Sequence, residues 1–494
     1  MEPIFALPLQ LPPRSSRERL RSLHQQLRAA ILEGRLQPGL RLPPTRALAA
    51  AHGVSRNTVM AAYDLLLSEG YLAARQGAGT YVADVLPKLS KGKPQVQSER
   101  RASGDRRLNA FWRQPAVVRD ASKVAAPRFD FRLGVPDTVH FPMDVWRRLA
   151  ARALRAFAKR PFAHDESFGR PALREAIARY VSFARAVACS ADDITVTAGA
   201  QQAFDLLARI LITPGRTVVA VENPGYTRVR TTFAAAGARI VAVPVDAEGL
   251  VVERIPANAS VVSVTPSHQF PLGVAMSARR RAALLKFAHT HDAVIIEDDY
   301  DAEFRFGGRP LDALQTLDRA ESVFYVGTFS KSLFPALRLG FAVAPPWAQG
   351  ALGTAKHYAD WSCNPISQET LAAFINEGHL ARHVRRMRRV YSSRRDVLLE
   401  GLRTGLSPWL EPLPNVAGLH LTALATSKAV DVKRVVARAR ELEVGVTSVE
   451  PFRVGKFGGA GLVFGYGALD EDGIVAGVAR LRQACEQVAP LMHG

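Results

Sequence analysis

From about residue 128 to the C-terminus, short apolar runs rich in β-branched residues alternate with segments of helical periodicity. The runs contain few polar residues, which is typical of strands that helices cover on both faces. This alternation predicts an α/β domain around a mostly parallel sheet, with ligand sites in the loops beyond the carboxyl ends of the strands. The predicted strands are 217–221, 239–245, 261–265, 293–297, 322–326 and 340–344.

The chain has 494 residues, too many for a single hydrophobic core, and its composition changes twice along its length. Residues 14–83 carry short helical patterns that end in a hairpin pattern. Residues 84–127 carry many lysines and arginines and few large apolar side chains, as a flexible, solvated linker does. Residues 128–494 hold most of the apolar sequence. We therefore predict a small N-terminal domain, a basic linker and a large C-terminal domain.

The formal net charge of +20 suggests a polyanionic partner, because phosphate groups attract lysine and arginine. Arginine is also abundant in GC-rich genomes, so the charge alone leaves nucleic-acid binding open. The three cysteines are far apart and odd in number, which argues against a disulfide framework and a paired-cysteine metal site. We find no membrane-length apolar stretch and no signal-peptide pattern, so we expect a cytoplasmic protein without a metal ion.

The N-terminal region carries the pattern of a helix-turn-helix. Apolar residues at helical spacing from Leu20 to Ile31 predict a first helix, and a second helix covers 45–52. Ser55 stands at the N-cap position of a third helix over 56–69. In this motif the last helix enters the major groove with its N-terminus first, where an arginine can pair with a guanine edge. The candidate DNA contacts are therefore Ser55, Arg56, Asn57 and Thr58.

A two-stranded wing is predicted over 71–82, where Gly77 would let the backbone approach the minor groove or a phosphate. The stretch GRLQPGLRLPPTRALAAAHGVSRNTVMAAYDLLLSEGYLAARQGAGTYV resembles the winged helix of the GntR family along its whole length. In that family the arginine of an L-P-x-x-R segment contacts DNA, as do residues at the start of the recognition helix. The resemblance implies binding to double-stranded operator DNA through Arg46, Ser55, Arg56 and Thr58.

Two strand ends of the C-terminal region carry residues that suit pyridoxal 5'-phosphate (PLP). PLP needs a lysine for the Schiff base and a carboxylate for the pyridine nitrogen. It also needs a hydroxyl for the phenolic oxygen and a cup of donors for the phosphate. The lysine and phosphate parts are matched by Lys331, Thr328, Ser330 and Arg338, and the ring contacts by Asp298 and Tyr300.

A further predicted helix begins at Gly199, Ala200 and Gln201, where free N–H groups and the helix dipole favour a phosphate. Tyr226 follows another strand and could stack on the cofactor ring. From about residue 128 onward the chain resembles fold-type I aminotransferases, and the fusion with a GntR winged helix is the layout of the MocR/GabR family. The resemblance implies a PLP-dependent transferase domain with a smaller α+β C-terminal subdomain, and a head-to-tail homodimer. It gives cofactor roles to Lys331, Asp298, Tyr300, Arg338 and Tyr226.

The sequence departs from working aminotransferases at two positions. Phe270 stands where an Asn-Pro-Thr-Gly turn supplies an asparagine to the phenolic oxygen, so His268 or Gln269 could fill that space. Val463 stands where an arginine normally pairs with the substrate carboxylate. Arg453 is nearby in sequence and is the candidate to replace that arginine at an effector.

Three functions remain open at this point. The first is a regulator that senses PLP, or an amine or amino-acid effector, through the lysine linkage and changes its DNA binding. The second is an active PLP-dependent aminotransferase with an accessory DNA-binding domain, against which Val463 argues. The third is a basic nucleic-acid-binding protein whose aminotransferase-like domain serves only as a dimerisation scaffold. We expect the first, without efficient transamination.

Overall fold

A computed structural model describes residues 9–12, 16–75, 78–84, 107, 109–113, 126–159, 167–307, 312–455 and 458–488. The chain divides into two compact units, Met1–Asp105 and Arg106–Gly494. Gly77 and most of the predicted linker lie outside the described residues, so the boundaries of the linker at 84 and 127 stay predictions. No helix within the described ranges is long and apolar enough to cross a membrane.

The N-terminal unit contains three helices and a hairpin: α1 (Ser16–Leu32), α2 (Thr45–Ala51), α3 (Arg56–Ser68), β1 (Leu72–Arg75) and β2 (Gly79–Val82). The apolar faces of the helices meet in a small core that includes Leu23, Leu27 and Leu66. The strands pair in antiparallel register from Leu72 opposite Val82. This arrangement confirms the predicted winged helix-turn-helix.

The larger unit contains strands of two sheets and a short strand pair: β3 (Phe129–Asp130), β4 (Ile194–Thr197), β5 (Val218–Asn223), β6 (Arg239–Asp246), β7 (Gly249–Leu250), β8 (Val261–Val264), β9 (Val294–Asp299), β10 (Val323–Thr328), β11 (Gly340–Val343), β12 (Leu410–Pro412), β13 (His420–Ala425), β14 (Val444–Gly445), β15 (Thr447–Ser448) and β16 (Gly461–Gly465). Its helices are α4 (Met143–Phe157), α5 (Pro171–Arg185), α6 (Ala200–Leu211), α7 (Thr227–Ala235), α8 (Ala278–His291), α9 (Leu314–Leu317), α10 (Pro346–Asp360), α11 (Pro365–Asn376), α12 (His379–Gly405), α13 (Val432–Glu441) and α14 (Glu471–Val488).

An eight-stranded sheet in the order β4-β11-β10-β9-β8-β5-β6-β7 forms the centre of this unit. All of its strands run parallel except β7 and β11, which are antiparallel to their neighbours. Phe204 and Phe233 belong to an apolar cluster on one side of the sheet, and Leu284 belongs to a separate cluster. The predicted mostly parallel α/β sheet is therefore confirmed, with strands buried between helices.

A second sheet in the order β12-β13-β16-β15 forms the smaller C-terminal α+β part. Helix α12 packs on β12 and helix α13 packs on β15, while α14 packs against both of these helices. Strand β14 pairs with β3 in a short parallel pair. Through this strand pair, the C-terminal part contacts the segment that precedes α4. Both parts share an extended apolar core in which Phe131 and Phe464 stack edge to face at 5.7 Å.

Candidate functional site

Lys331 lies in the connection that follows β10, and its Nζ donates a hydrogen bond to the main-chain oxygen of Gly134 at 2.7 Å. Burial, joined by the charge of Arg228, lowers the pKa of Lys331, although Asp301 and Asp298 act in the opposite direction. A lowered pKa enlarges the fraction of neutral amine, which is the nucleophilic form. The position suits a lysine that attacks an aldehyde.

Asp298 lies within β9 and is only 6% exposed. Among the described residues, its Oδ1 has no hydrogen-bond partner. Burial raises the pKa of Asp298 well above its ordinary value, and the negative charges of Asp299, Asp301 and Glu222 raise it further. A buried acceptor without a partner requires a donor, and a cationic donor is favoured beside so many acids. A protonated pyridine nitrogen meets both requirements, so this carboxylate fits the ring of PLP.

Tyr300 follows β9, and its hydroxyl donates to the main-chain oxygen of His268 at 2.9 Å. Burial raises the pKa of Tyr300 well above 10, so the phenol keeps its proton and remains a donor. Phe270 packs edge-on against Tyr226 at 5.5 Å and against Tyr300 at 6.2 Å between ring centroids. Phe270 therefore joins Tyr226 and Tyr300 in one aromatic group, and the charge of Asp298 acts on both tyrosines.

The phosphate part of the predicted site lies where α6 begins. Gly199 is the N-cap of α6 with φ +77°, and the N–H groups of the first turn of a helix favour an anion. Arg338 donates to the main-chain oxygen of Ala198 at 2.6 Å. A Cβ on Gly199 would lie 3.1 Å from the Arg338 guanidinium, so glycine allows the close approach. Thr328 donates to Ser330 between their hydroxyls at 3.1 Å in the connection that holds Lys331.

Gln201 lies in the first turn of α6, where the sequence predicted that free main-chain N–H groups favour a phosphate. Its side-chain Nε2 donates to the hydroxyl of Thr232 on α7 at 2.7 Å, which turns the amide toward the neighbouring helix. Its Oε1 is buried and has no partner among the described residues. The main-chain N–H groups of Ala200 and Gln201, rather than the amide side chain, are the donors that a phosphate would meet.

Three residues near the site were given no role by the sequence analysis. Gly134 receives the hydrogen bond of Lys331 from a segment without a recognisable motif. Glu222, at the end of β5, is buried and accepts from Thr265 Oγ1 at 2.6 Å. Arg228 is exposed in the first turn of α7, and its charge lowers the pKa of both Lys331 and Tyr226. Glu222 and Arg228 had a sequence signal, since Glu222 begins the strand-end segment that contains Tyr226 and Arg228 follows Tyr226 by two residues.

The two candidate residues for an effector carboxylate have contrasting environments. Val463 lies fully buried within β16, in register with Thr422 of β13, and offers no hydrogen-bond donor. Arg453 is half-buried, and its guanidinium donates to the main-chain oxygen of Gly458. The residues on either side of Arg453 contact the loop after β5, because Phe452 O accepts from Gly225 N at 2.9 Å. The main chain beside Arg453 is therefore close to the candidate site, while the guanidinium of Arg453 is directed at its own loop.

Among the described residues, one group of three side chains could bind a metal ion, namely His268, Asp301 and His420. Its members are already hydrogen-bonded, since His268 Nδ1 lies 3.1 Å from Asp301 and His420 Nε2 lies 3.1 Å from Pro271 O. We therefore interpret the group as a hydrogen-bond network.

In the N-terminal unit, Ser55 caps α3, because its Oγ accepts from Thr58 N at 3.1 Å. Arg56 and Asn57 are exposed in the first turn of α3, and Arg46 is exposed in the first turn of α2. Thr58 differs from the prediction, because its side chain is buried and its hydroxyl lies 2.8 Å from that of Ser55. Thr58 stabilises the cap and is not among the side chains that the helix exposes. Gly77 lies outside the described residues.

Comparison with known families and proteins adds to this geometry. A model of aminotransferase class I and II matches residues 131–458, and one of bacterial regulatory proteins of the gntR family matches residues 20–82. The probable rhizopine catabolism regulatory protein MocR of Rhizobium meliloti is 38% identical over 94% of this chain and 93% of its own length. The pyridoxine biosynthesis transcriptional regulator PdxR of Corynebacterium glutamicum is 33% identical over 94% and 96%.

A similar solved structure is a kynurenine aminotransferase of Pyrococcus horikoshii. It is 27% identical with a TM-score of 0.68, and the match covers 74% of this chain and 92% of that one. The aminotransferase class I and II fold is a PLP-dependent family.

Proposed function

The chain belongs to the MocR-type transcriptional regulators, which join a GntR winged helix to an aminotransferase class I and II domain, and we propose that it regulates transcription through PLP bound at Lys331. The observation that carries the proposal is the buried, unpartnered Oδ1 of Asp298, whose carboxylate interacts with the charge of Lys331. A carboxylate with this environment is stabilised only when a cation or donor is added to the site.

The proposed roles follow from the geometry. Lys331 provides the amine for covalent attachment, Asp298 keeps a proton on the ring nitrogen and Tyr300 donates to the phenolic oxygen. The phosphate is bound by Gly199, Ala200, Gln201, Thr328, Ser330 and Arg338, and Tyr226 stacks on the ring. When bound, PLP supplies an aldehyde that amines capture and a ring that withdraws electrons.

The DNA-binding part of the proposal rests on the exposed first turns of α2 and α3. Arg46, Arg56 and Asn57 present their side chains to the major groove of an operator, where arginine can pair with guanine. Ser55 fixes the start of the recognition helix and can contact a phosphate through its exposed side. A protein that binds operator DNA acts where the chromosome is, so we propose that it works in the cytoplasm.

We also propose a homodimer. Several large apolar side chains of the larger unit are exposed and are available for contact with a second copy. Head-to-tail pairing, as the family layout implies, would cover such side chains with a second copy. The exposed residues are Met143 and Leu154 on α4, Phe183 on α5, and Tyr358 on α10.

The effector is proposed to be PLP itself or an amine that reaches the Lys331 linkage. Val463 cannot pair with a carboxylate, so an amino-acid effector must be held by another cation. Arg228 is the stronger candidate because its charge already acts on Lys331, and Arg453 is the second. A change in occupancy would shift the dimer between two conformations that bind DNA differently.

Transamination is the second candidate function, because the residues that fit PLP in this chain are those of the aminotransferase fold. The test uses the full-length protein loaded with PLP and DNA from upstream of its own gene. We expect saturable binding to that DNA over random DNA, visible absorbance from bound PLP, and a change in DNA affinity with PLP or an added amine. Absence of specific DNA binding contradicts the regulator, and multiple-turnover exchange with a keto acid supports the aminotransferase.

A further inference from the structure

His268 lies in the turn after β8 and is 2% exposed. Its Nδ1 lies 3.1 Å from each carboxylate oxygen of Asp301 and 3.1 Å from the hydroxyl of Tyr300. The same hydroxyl donates to the main-chain oxygen of His268 at 2.9 Å. One residue therefore contacts the tyrosine oxygen through both its ring and its backbone.

The protonation pattern of the His268 ring follows from Asn415. The amide oxygen of Asn415 accepts from Arg395 Nε at 3.2 Å, which fixes the orientation of the amide. Its Nδ2 therefore donates to His420 O at 2.9 Å and faces His268 Nε2 at 3.3 Å. Because Nε2 faces a donor, it accepts, and the ring carries its proton on Nδ1. That N–H points at Asp301 and Tyr300.

The same turn provides no amide donor for the phenolic oxygen of the proposed cofactor. Phe270 occupies the position at which aminotransferases carry an asparagine, and its ring packs against Tyr300 instead of offering an amide. Gln269 does not replace the amide, because its Nε2 donates to Pro224 O at 2.8 Å. The hydroxyl of Tyr300 is therefore the donor that remains for the phenolic oxygen, so the position of this hydroxyl determines whether the hydrogen bond forms.

We infer that His268 is a positioning residue for PLP chemistry: it holds the Tyr300 hydroxyl where that group donates to the phenolic oxygen. The inference rests on the proposed function, because it requires PLP at Lys331. The ring Nδ1 and the main-chain oxygen of His268 together fix the tyrosine oxygen, and the hydroxyl proton that His268 O accepts in this structure would turn to the phenolic oxygen when PLP is bound. Asp301 and Asn415 orient the ring from either side, so the ring cannot turn away without the loss of hydrogen bonds.

The surrounding charges determine what a pH titration reports. Burial lowers the pKa of His420 to about 3, so that ring stays neutral and adds no charge beside His268. Burial raises the pKa of Tyr300, so the hydroxyl also keeps its proton over the working range. The titratable or charged groups that face this network are Asp301, Tyr300, His420, Asp298, Asp299, Glu222, Lys331 and Arg395.

The test measures the pH midpoint at which the visible absorbance of PLP bound to the full-length protein changes. A donor to the phenolic oxygen stabilises its anionic form, so loss of the donor should raise the midpoint. The variants are His268→Leu, which keeps the volume without the ring nitrogens, and His268→Asn, whose amide can replace Nδ1–H. Tyr300→Phe and the His268→Leu/Tyr300→Phe double variant complete a cycle.

We expect His268→Leu to raise the midpoint by about one pH unit, as the loss of a hydrogen bond to a charged group does. His268→Asn should restore at least half of that shift, and the double variant should match Tyr300→Phe alone. An unchanged midpoint in His268→Leu, or additive shifts in the double variant, overturns the inference.

Asn415→Leu provides a second route if His268→Leu does not fold. It removes the donor to Nε2 from outside the turn and should raise the midpoint by a smaller amount, whereas an unchanged midpoint counts against the inference. A wild-type protein that retains no PLP on dialysis overturns the proposed function, and this inference with it. A wild-type protein that retains PLP while the variants keep its midpoint overturns only the role of His268.

Discussion

Lys331 and Gly134 are 197 residues apart in sequence, yet Nζ of the lysine lies 2.7 Å from the carbonyl oxygen of the glycine. Gly134 has φ +70°, and a Cβ there would lie 2.2 Å from Nζ. The segment before α4 thus reaches the site with a residue that has no side chain. A substitution at this glycine must move the lysine.

Gly134→Ala tests this relationship. The left-handed backbone costs a non-glycine residue about 1–2 kcal/mol, and the methyl group additionally displaces Nζ. Gly215→Ala is the matched control, because Gly215 has φ +75° with nothing within 4 Å of its Cβ position. Both variants should lose similar thermal stability, but only Gly134→Ala should lose PLP on dialysis, measured by visible absorbance. Equal retention of PLP in the two variants would show that the contact has no effect.

Lys331→Ala should abolish covalent attachment of PLP while the protein stays folded. Borohydride reduction followed by peptide mass analysis should find the cofactor on the wild-type peptide that contains Lys331 and on no peptide of the variant. Lys286→Ala, at an exposed lysine on α8, should behave as the wild type. A reduced cofactor adduct in Lys331→Ala would assign the attachment to another lysine.

Asp298→Asn should have opposite effects on the protein with and without PLP. Without PLP, the substitution removes a buried acid whose pKa is raised, so the melting temperature at pH 8 should rise. With PLP, the loss of the charged partner of the ring nitrogen should weaken binding by at least roughly tenfold, about 1.4 kcal/mol. Asp205→Asn, in an exposed pair with Arg209, is the control. Unaltered PLP affinity would contradict the assignment.

Glu222 makes stability depend on pH. Burial raises its pKa from 4.5 to about 7, so the folded state binds the proton more tightly than the unfolded state. The stabilisation is complete below about pH 4.5 and is lost as the pH rises through about 7. Glu222→Gln removes this dependence, so the melting temperature of the variant relative to wild type should rise by a few degrees between pH 5 and pH 8. A constant difference would contradict a pKa of about 7 for Glu222.

Arg56→Ala and Arg46→Ala should each weaken operator binding by roughly 5- to 160-fold, which corresponds to about 1–3 kcal/mol per base contact. Arg28 is the control, since its guanidinium lies over the ring of Tyr71 and within 3.9 Å of Glu69. Fluorescence anisotropy with labelled DNA measures the affinity. Binding that is unchanged in both variants, or equally weakened in Arg28→Ala, would contradict base recognition by the two arginines.

Sequence patterns predicted all six of the strands they singled out, because apolar β-branched runs mark buried parallel strands. They missed β4, whose four residues include two threonines and follow a turn with acidic residues. They placed Asp298 after a strand, whereas β9 continues through Asp299 because both acids pair with β10. The periodicity of apolar residues does not reveal a carboxylate that lies within a buried pair of strands.

Long-range contacts explain the other differences. Nothing around Gly134 indicates that Lys331 reaches it, and nothing around Asn415 indicates that it orients His268. The burial of Thr58 follows from helix phase, since its side chain turns back to Ser55 while Arg56 and Asn57 face outward. Sequence motifs therefore indicated which residue types to expect at the candidate site, while the fold decided which contacts each side chain makes.

The antiparallel direction of β11 affects which changes in loop length alter the proposed site. Because β11 returns beside β10, residues 329–339 form one short connection between neighbouring strands, and this connection carries both Lys331 and Arg338. The length of this one connection therefore sets the distance between Lys331, proposed for the aldehyde of the ligand, and Arg338, proposed for its phosphate. Insertion of one residue would shift Arg338 by about 3 Å relative to the lysine, about the length of a hydrogen bond. The aromatic residues Tyr226 and Phe270 belong to other connections, so a change in those connections leaves that spacing unaltered.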